Sequence, residues 1–276
     1  IGIMNQSILH DINVTGVSMN SNLVDEGNIF VAIKGLNSDG HDFIDQAINS
    51  GASAIVTNGR DLGSLSVPQI KVKDTRKTLS AIAAEYYGRP SNSLVVIGIT
   101  GTNGKTTTAT LTKAILNNAG YKTAQIGTLG LIADGVNHEQ TMTTPDAISI
   151  QKILHNLKEE SFTHVVMEVS SHALDQSRDA DINFNLAAIT NLSPEHLDYH
   201  ATIENYFYSK MKLFKNLDKN SKAILSRNYA GLEAYKMQRS REQKILEYEK
   251  DINTLKTIQS ISFYMTIQFT EEIILS

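Results

Sequence analysis

The chain has 276 residues, 41% hydrophobic and 20% charged, enough to bury a sizeable core as one large domain or two modest ones. A formal net charge of −4 argues against an extended polyanion-binding surface, and so against a nucleic-acid partner, while leaving room for a local basic pocket for phosphates. The absence of cysteine excludes disulfides and thiolate metal sites, so any metal is held by oxygen or imidazole, which favours magnesium over structural zinc. No basic segment followed by an apolar core opens the chain, and no apolar run approaches the roughly 18 residues of a membrane span. A cytoplasmic, monomeric protein with no membrane partner is the expectation. The chain opens on Ile1 rather than Met.

In chain order, "NIFVAI" (28–33) reads as a strand and "DFIDQAINSGA" as a short helix stopped at Gly51, with "SAIVT" as the next strand. "DTRKTLSAIAAEYYGRP" then reads as a helix with Asp74 or Thr75 as N-cap, an apolar stripe through Leu79, Ile82, Ala83 and Tyr86, and Gly88 and Pro90 as terminators. A boundary near residues 88–93 separates a small α/β domain, residues 1–90, from a second α/β domain, residues 91–276. In the second, "LVVIGIT", "TAQIGT", "HVVMEV" (164–169) and "LAAIT" (186–190) are apolar strands. They alternate with a helix closing at Gly120 and another near 146–158. Such β-branched runs between amphipathic helices indicate a mostly parallel sheet buried on both faces, whose ligands bind beyond the carboxyl ends of the strands. Near the end, "YKMQRSREQKILEYEKDINTLKT" reads as a charged helix and "SISFYMTIQFTEEIILS" as one or two strands.

The strand "LVVIGIT" runs into "GTNGKTTT". The strict phosphate-loop spacing asks for glycine where the chain has Ile99, yet the physical ingredients are present. Gly101 and Gly104 permit a positive-φ turn that turns backbone N–H groups toward an anion, and the helix behind adds the positive end of its dipole. Lys105 can neutralise phosphate charge and Thr106 can offer its hydroxyl to magnesium. Alone, the loop leaves GTPase, kinase, ATPase and ligase open.

Glu168 ends the strand "HVVMEV". It lies near the phosphate loop if the two strands are neighbours, as a second magnesium ligand, and otherwise is a strand-end carboxylate facing solvent. His196, in the loop after "LAAIT", is either structural or part of the same site. In "ATIENYFYSKMKLFKNL" the apolar positions Ile203, Tyr206, Phe207, Leu213 and Phe214 recur at helical spacing, and Lys210 falls inside that stripe. Lys212 lies about 200° further round, on the polar face. Burial of the Lys210 ammonium lowers its pKa toward the neutral amine. The position is resolved either by a buried ion pair or snorkelling stem, or by reaction of the neutral amine with carbon dioxide to give a carbamate.

Together these stretches resemble the Mur ligases, the ATP-dependent amide-forming enzymes of peptidoglycan synthesis. The phosphate loop is shared with folate-polyglutamylating and cyanophycin-forming relatives. More specific are "TLG" (128–130) followed by "TTPDA" (143–147), "MEVSSHALDQSR" (167–178), and "NLSPEHLDYH" (191–200) followed by "YFYSKMKLF". The set is similar to the members that add a diamino acid, meso-diaminopimelate or L-lysine, to UDP-N-acetylmuramoyl-L-alanyl-D-glutamate. The resemblance covers roughly residues 15–225.

The resemblance implies that Gly101, Thr102, Asn103, Gly104, Lys105, Thr106 and Thr107 bind ATP, and that Thr106, Glu168 and His196 hold Mg2+. It implies that Lys210 is the family's carbamylated lysine, bridging to a metal, and that Lys105, Lys210 and His196 are the catalytic group. Thr143, Thr144, Ser170, Gln176 and Arg178 would grip the UDP-muramoyl dipeptide, with Ser21 and Leu36, Asn37 and Ser38 beside the uridine. The implied reaction passes through an acyl phosphate, with no protein nucleophile.

Several positions depart from the family pattern. Asn20-Ser21-Asn22 replaces an Asp-Ser-Arg, Glu195 replaces an Asp, Met142 an Asn, and Ser226-Arg227-Asn228 an acidic segment on the adenine side. The family's third, amino-acid-binding domain and its Asp-Asn-Pro-Arg motif are not in this sequence. The expectation is a chain that binds ATP or the UDP-sugar peptide weakly and does not complete ligation at normal rates. A non-catalytic nucleotide- or UDP-sugar-binding remnant, and the sister ligase that adds a dipeptide, are the alternatives.

Overall fold

A computed structural model describes residues 14–60, 62–136, 142–226 and 245–248. The chain divides into two compact units, Ile1–Gly88 and Arg89–Ser276.

In the first unit, β1 (Gly16–Ser18), β2 (Asn28–Val31), β3 (Ala54–Thr57) and β4 (Gln69–Lys71) form a four-stranded sheet in that order, parallel throughout. β2 and β3 are buried at every position, as central strands covered on both faces require. The connection between them carries a 3-10 turn (Gly40–Phe43) and α1 (Ile44–Asn49), whose Ile44 and Ala47 pack with Phe30, Ala32 and Ile55. Asp74 accepts hydrogen bonds from the Arg76 and Lys77 N–H groups and so starts α2 (Thr75–Tyr86). Leu79 and Ala83 are buried there. Tyr86, at the end of the same stripe, is exposed and uses its hydroxyl to donate to the Thr15 carbonyl.

The second unit holds the strands β5 (Val95–Thr100), β6 (Thr123–Gly127), β7 (Gly130–Ile132), β8 (His164–Glu168), β9 (Leu186–Ile189), β10 (Lys222–Ser226) and β11 (Ile245–Tyr248). They form a seven-stranded sheet in the order β11-β10-β9-β5-β8-β6-β7. Every pairing is parallel except the tight β6–β7 hairpin. The helices are α3 (Lys105–Asn118), α4 (Ala147–Glu159), α5 (Ser171–Asp175), α6 (Leu197–His200) and α7 (Ile203–Lys215).

Two cores flank the sheet. On one side Val96, Val165, Met167, Ala187 and Ile189 pack with Ile150, Ile153 and Leu157 of α4 and Leu213 and Phe214 of α7. On the other, Ile97, Ile99, Val166, Leu186 and Ala188 pack with Ala109 and Leu116 of α3. Alternate residues of a strand face opposite sides, so Glu168, two beyond Val166, points to the α3 side. The chain leaves β5 for β6 on one flank, returns to β8 beside β5, and then places β9 on the other flank. The loops after β5, β8 and β9 therefore meet at the switch in strand order, where sheets of this kind open a crevice.

One sequence expectation is corrected. Within the stretch expected to be a charged helix, Ile245–Tyr248 is a strand, paired in parallel with β10. "ILEY" is apolar and aromatic enough to complete the open edge of β10, and that long-range pairing outweighs the helical pattern of its flanks. The rest of that stretch, the expected strands at 260–276, and Arg227 and Asn228 lie outside the described residues.

Candidate active site

The phosphate loop joins β5 to α3. Gly101 has φ 141, and a Cβ there would overlap the Thr190 side chain. Gly104, left-handed at φ 85, is the N-cap of α3 and supplies no side-chain cap, whereas Asp74, Asp146, Ser170 and Thr202 cap α2, α4, α5 and α7. The first amides of α3, those of Lys105, Thr106 and Thr107, have no intrahelical acceptor, and the positive end of the helix dipole opens onto the loop. Ile99, where the strict spacing asks for glycine, lies within β5 and packs against α3, and the turn begins only at Gly101.

The loop is pinned to the segment after β9. Asn191 grips one peptide from both sides: its Oδ1 accepts from the Asn103 N–H at 2.9 Å and its Nδ2 donates to the Asn103 carbonyl at 2.8 Å. Thr190 donates to the same carbonyl at 2.6 Å, and the Thr102 N–H donates to the Asn191 carbonyl. The Thr102 hydroxyl is buried. It accepts from the Ser193 N–H at 3.0 Å and lies 3.2 Å from the Tyr206 hydroxyl. The amides of Thr102 and Asn103 are thus engaged by protein, and the cradle for an anion narrows to residues 104–107.

Lys105 donates to the Gly101 and Thr102 carbonyls, both at 2.9 Å. Burial lowers its pKa, and the carboxylates of Glu168 and Glu195 act against that shift. Lys210 is 1% exposed, donates to the same Gly101 carbonyl at 2.9 Å, and lies 4.3 Å from the centre of the Tyr206 ring. Burial first, and then the Lys105 ammonium, push its pKa down to about 7 against the pull of Glu195. No carboxylate pairs with it at salt-bridge distance among the described residues. Lys212, by contrast, faces outward and pairs with Asp175 at 2.6 Å.

Glu168 is fully buried and neighbours the loop, because β8 pairs with β5 with Glu168 opposite Ile99. Its Oε2 accepts from the Thr106 hydroxyl at 2.8 Å and the Thr128 hydroxyl at 3.1 Å, and its Oε1 from the Thr128 N–H at 3.1 Å. A buried carboxylate beside a threonine hydroxyl, neither engaged by a side-chain cation, is an oxygen donor pair that fits a hard cation such as magnesium. His196 is not drawn into this pair. It lies 3.8 Å from the Glu195 carboxylate, with its ring against His172 and Tyr206. Among the described residues no three His, Asp or Glu side chains form a ready metal cluster.

The expected substrate residues of this unit lie on the α5 side of Glu168. Thr144 donates to the Glu168 carbonyl at 3.0 Å and accepts from the Ser170 N–H. Arg178 donates to the Thr144 carbonyl at 2.8 Å and to Gln176, and also meets the Met142 sulfur. Thr143 lies 3.2 Å from the Thr128 hydroxyl. Thr107 is exposed on the first turn of α3. Ser21 and the segment 36–38 belong to the first unit. Ser21 is buried and donates to Gln46, whose Nε2 donates to Asn22, while Leu36 is 83% exposed in a turn closed by the Lys34–Asp39 bridge.

Sequence reading missed Thr128, Asn191, Ser193 and Tyr206 as parts of the site. It noted Glu195 only as a departure, although its charge acts on both Lys105 and Lys210.

The family model for the Mur ligase middle domain matches residues 99–272, and that for the Mur ligase family catalytic domain matches residues 13–87. UDP-N-acetylmuramoyl-L-alanyl-D-glutamate--2,6-diaminopimelate ligase of Syntrophomonas wolfei is 44% identical over 219 residues, 78% of this chain and 45% of that protein. The ligase of the same name from Aquifex aeolicus is 47% identical over 211 residues, covering 76% and 43%. A solved structure of a ligase of that name superposes with TM-score 0.73 at 29% identity, over 87% of this chain and 49% of the other. The MurF ligase of Thermotoga maritima in complex with ADP superposes with TM-score 0.57 at 27% identity, over 87% and 52%. The chain spans about half the length of the relatives it matches.

Proposed function

Because the chain belongs to the Mur ligase family, we propose that it carries the ATP-binding and acyl-donor-binding parts of a ligase that joins a diamino acid to UDP-N-acetylmuramoyl-L-alanyl-D-glutamate. The observation that carries this reading is the convergence of Lys105, Thr106, Glu168 and Lys210 on one phosphate-loop corner, next to Thr143, Thr144 and Arg178. The named relatives act on 2,6-diaminopimelate, which makes it the first acceptor to test. Such a reaction uses ATP and a UDP-sugar, and its place is the cytoplasm.

The chemistry is attack of the donor's glutamyl carboxylate on the γ-phosphorus of ATP, releasing ADP and leaving an acyl phosphate. The amine of the diamino acid then attacks the acyl carbon, expelling phosphate and losing a proton as the amide forms. The chain's own contribution is positioning and charge. The amides of residues 104–107 hold phosphate oxygens, and Lys105 exchanges its carbonyl partners for the transferring phosphate. Magnesium, if bound through Thr106 and Glu168, would offset the negative charge of nucleotide and donor.

Arg178, set by Gln176, is the guanidinium that would pair with a carboxylate of the donor. The Lys210 amine, with its lowered pKa, reacts with carbon dioxide: the N–C bond forms, one proton leaves, and the anion replaces a cation that Lys105 repels.

Incubation with ATP, magnesium and the UDP-muramoyl dipeptide tests the reading. Dipeptide-dependent ADP release, with an acyl phosphate trapped by hydroxylamine, is expected. Dipeptide binding without ADP release would favour a binding function. Neither binding nor release would refute both.

A further inference from the structure

We propose that Thr128 is a positioning residue that couples the cation-holding carboxylate Glu168 to the donor-gripping segment at Thr143, an inference that rests on the ligase reading for the meaning of those two sites. β6 runs parallel to β8, and its last residue, Gly127, meets the Glu168 side chain so closely that any Cβ would overlap Oε1. That approach places the next residue, Thr128, around the carboxylate. Its N–H donates to Oε1 at 3.1 Å and its hydroxyl to Oε2 at 3.1 Å.

The direction of the hydroxyl follows from its partners. A carboxylate only accepts, so the Thr128 proton is committed to Glu168. The 3.2 Å contact with Thr143 then has Thr143 as donor and Thr128 as acceptor. The order is Thr143 to Thr128 to Glu168, and the Thr106 hydroxyl meets the same Oε2 from α3. Thr128 thus holds both carboxylate oxygens in the plane that aims Oε2 at Thr106. It also ties residues 142–144 to that carboxylate, alongside the backbone link from Thr144 to the Glu168 carbonyl. A bidentate hold fixes a rotamer that one bond leaves free, and a shared hydroxyl lets each site bias the other.

Two variants separate this from a packing role. Thr128→Val keeps the N–H and the shape but removes the hydroxyl; Thr128→Ser keeps the hydroxyl and removes the methyl. The first readout uses ligand-free chain: amide hydrogen exchange at residues 142–144 is expected to quicken about tenfold in Thr128→Val and stay at the wild-type rate in Thr128→Ser. The second is ADP binding with and without magnesium. The magnesium-dependent gain in affinity is expected to fall about tenfold in Thr128→Val, with magnesium-free binding unchanged and Thr128→Ser restoring the gain.

Wild-type behaviour of Thr128→Val in the exchange experiment, or equal impairment of both variants, overturns the proposal. If the wild-type chain shows no magnesium-dependent ADP binding while the exchange pattern holds, the ligase reading fails and the hydroxyl link stands.

Discussion

Replacing Asp179 by asparagine probes a carboxyl that the second unit buries without a full set of partners. Asp179 is 2% exposed, and its Oδ2 meets no donor or acceptor. Burial raises its pKa from 3.8 to about 7, opposed by its own backbone N–H and by the Lys212 charge. The folded chain therefore holds a proton that the unfolded chain has released between those two values. This group's contribution to stability is greatest at acid pH and falls as pH rises through this window, opposite in sign to the contributions of Asp39, Asp175 and Asp218, whose pKa values are lowered. At about 1.36 kcal/mol per pH unit the full span is about 4 kcal/mol, of which about 3 kcal/mol falls between pH 5 and pH 9.

Asparagine has nearly the same shape and no ionisation, so Asp179→Asn lacks this slope. Thermal unfolding at pH 5, 7 and 9 should show the variant gaining on the wild type by roughly 6–12 °C from the acid to the alkaline end, at about 2–4 °C per kcal/mol. Superimposable pH profiles would refute the reasoning, as would a variant that loses ground as pH rises.

Other substitutions test the corner itself. Asn191→Ala removes both hydrogen bonds to the Asn103 peptide and should weaken nucleotide binding roughly 10–100-fold by calorimetry. Glu168→Gln should abolish the magnesium dependence of nucleotide binding while leaving magnesium-free binding within about threefold, because the phosphate cradle is built from α3 amides. Lys210→Met should remove dipeptide-dependent ADP release and, in buffer free of carbon dioxide, raise the melting temperature near neutral pH, since it removes an amine whose charged form burial and Lys105 disfavour. A wild-type melting temperature with intact ADP release would contradict the role assigned to Lys210.

What could be read from the sequence is what depends on local pattern. The apolar runs "LVVIGIT", "HVVMEV" and "LAAIT" are strands because continuous β-branched residues suit a sheet covered on both faces. Lys210 stood out because helical spacing put a cation among Tyr206, Leu213 and Phe214, and it is buried there. Contacts that depend on strand order were not legible. Glu168 meets Thr106 only because β8 lies beside β5, and strand parity then turns its side chain to α3.

Thr128, Asn191 and Ser193 are ordinary loop residues in one dimension. They become part of the site because the ends of β6, β9 and β5 meet at one edge of the sheet. The strand at Ile245–Tyr248 was hidden for the same reason, since the open edge of β10 that it completes is not a local feature.

The central claim is that the β5–α3 turn holds a nucleotide's phosphates, with Glu168 and Thr106 supplying a cation site. Calorimetric titration of ADP into the chain, with and without magnesium and alongside Lys105→Ala, tests it most directly. Magnesium-strengthened binding that Lys105→Ala reduces at least tenfold is predicted, and no binding, or equal binding by both proteins, would contradict it.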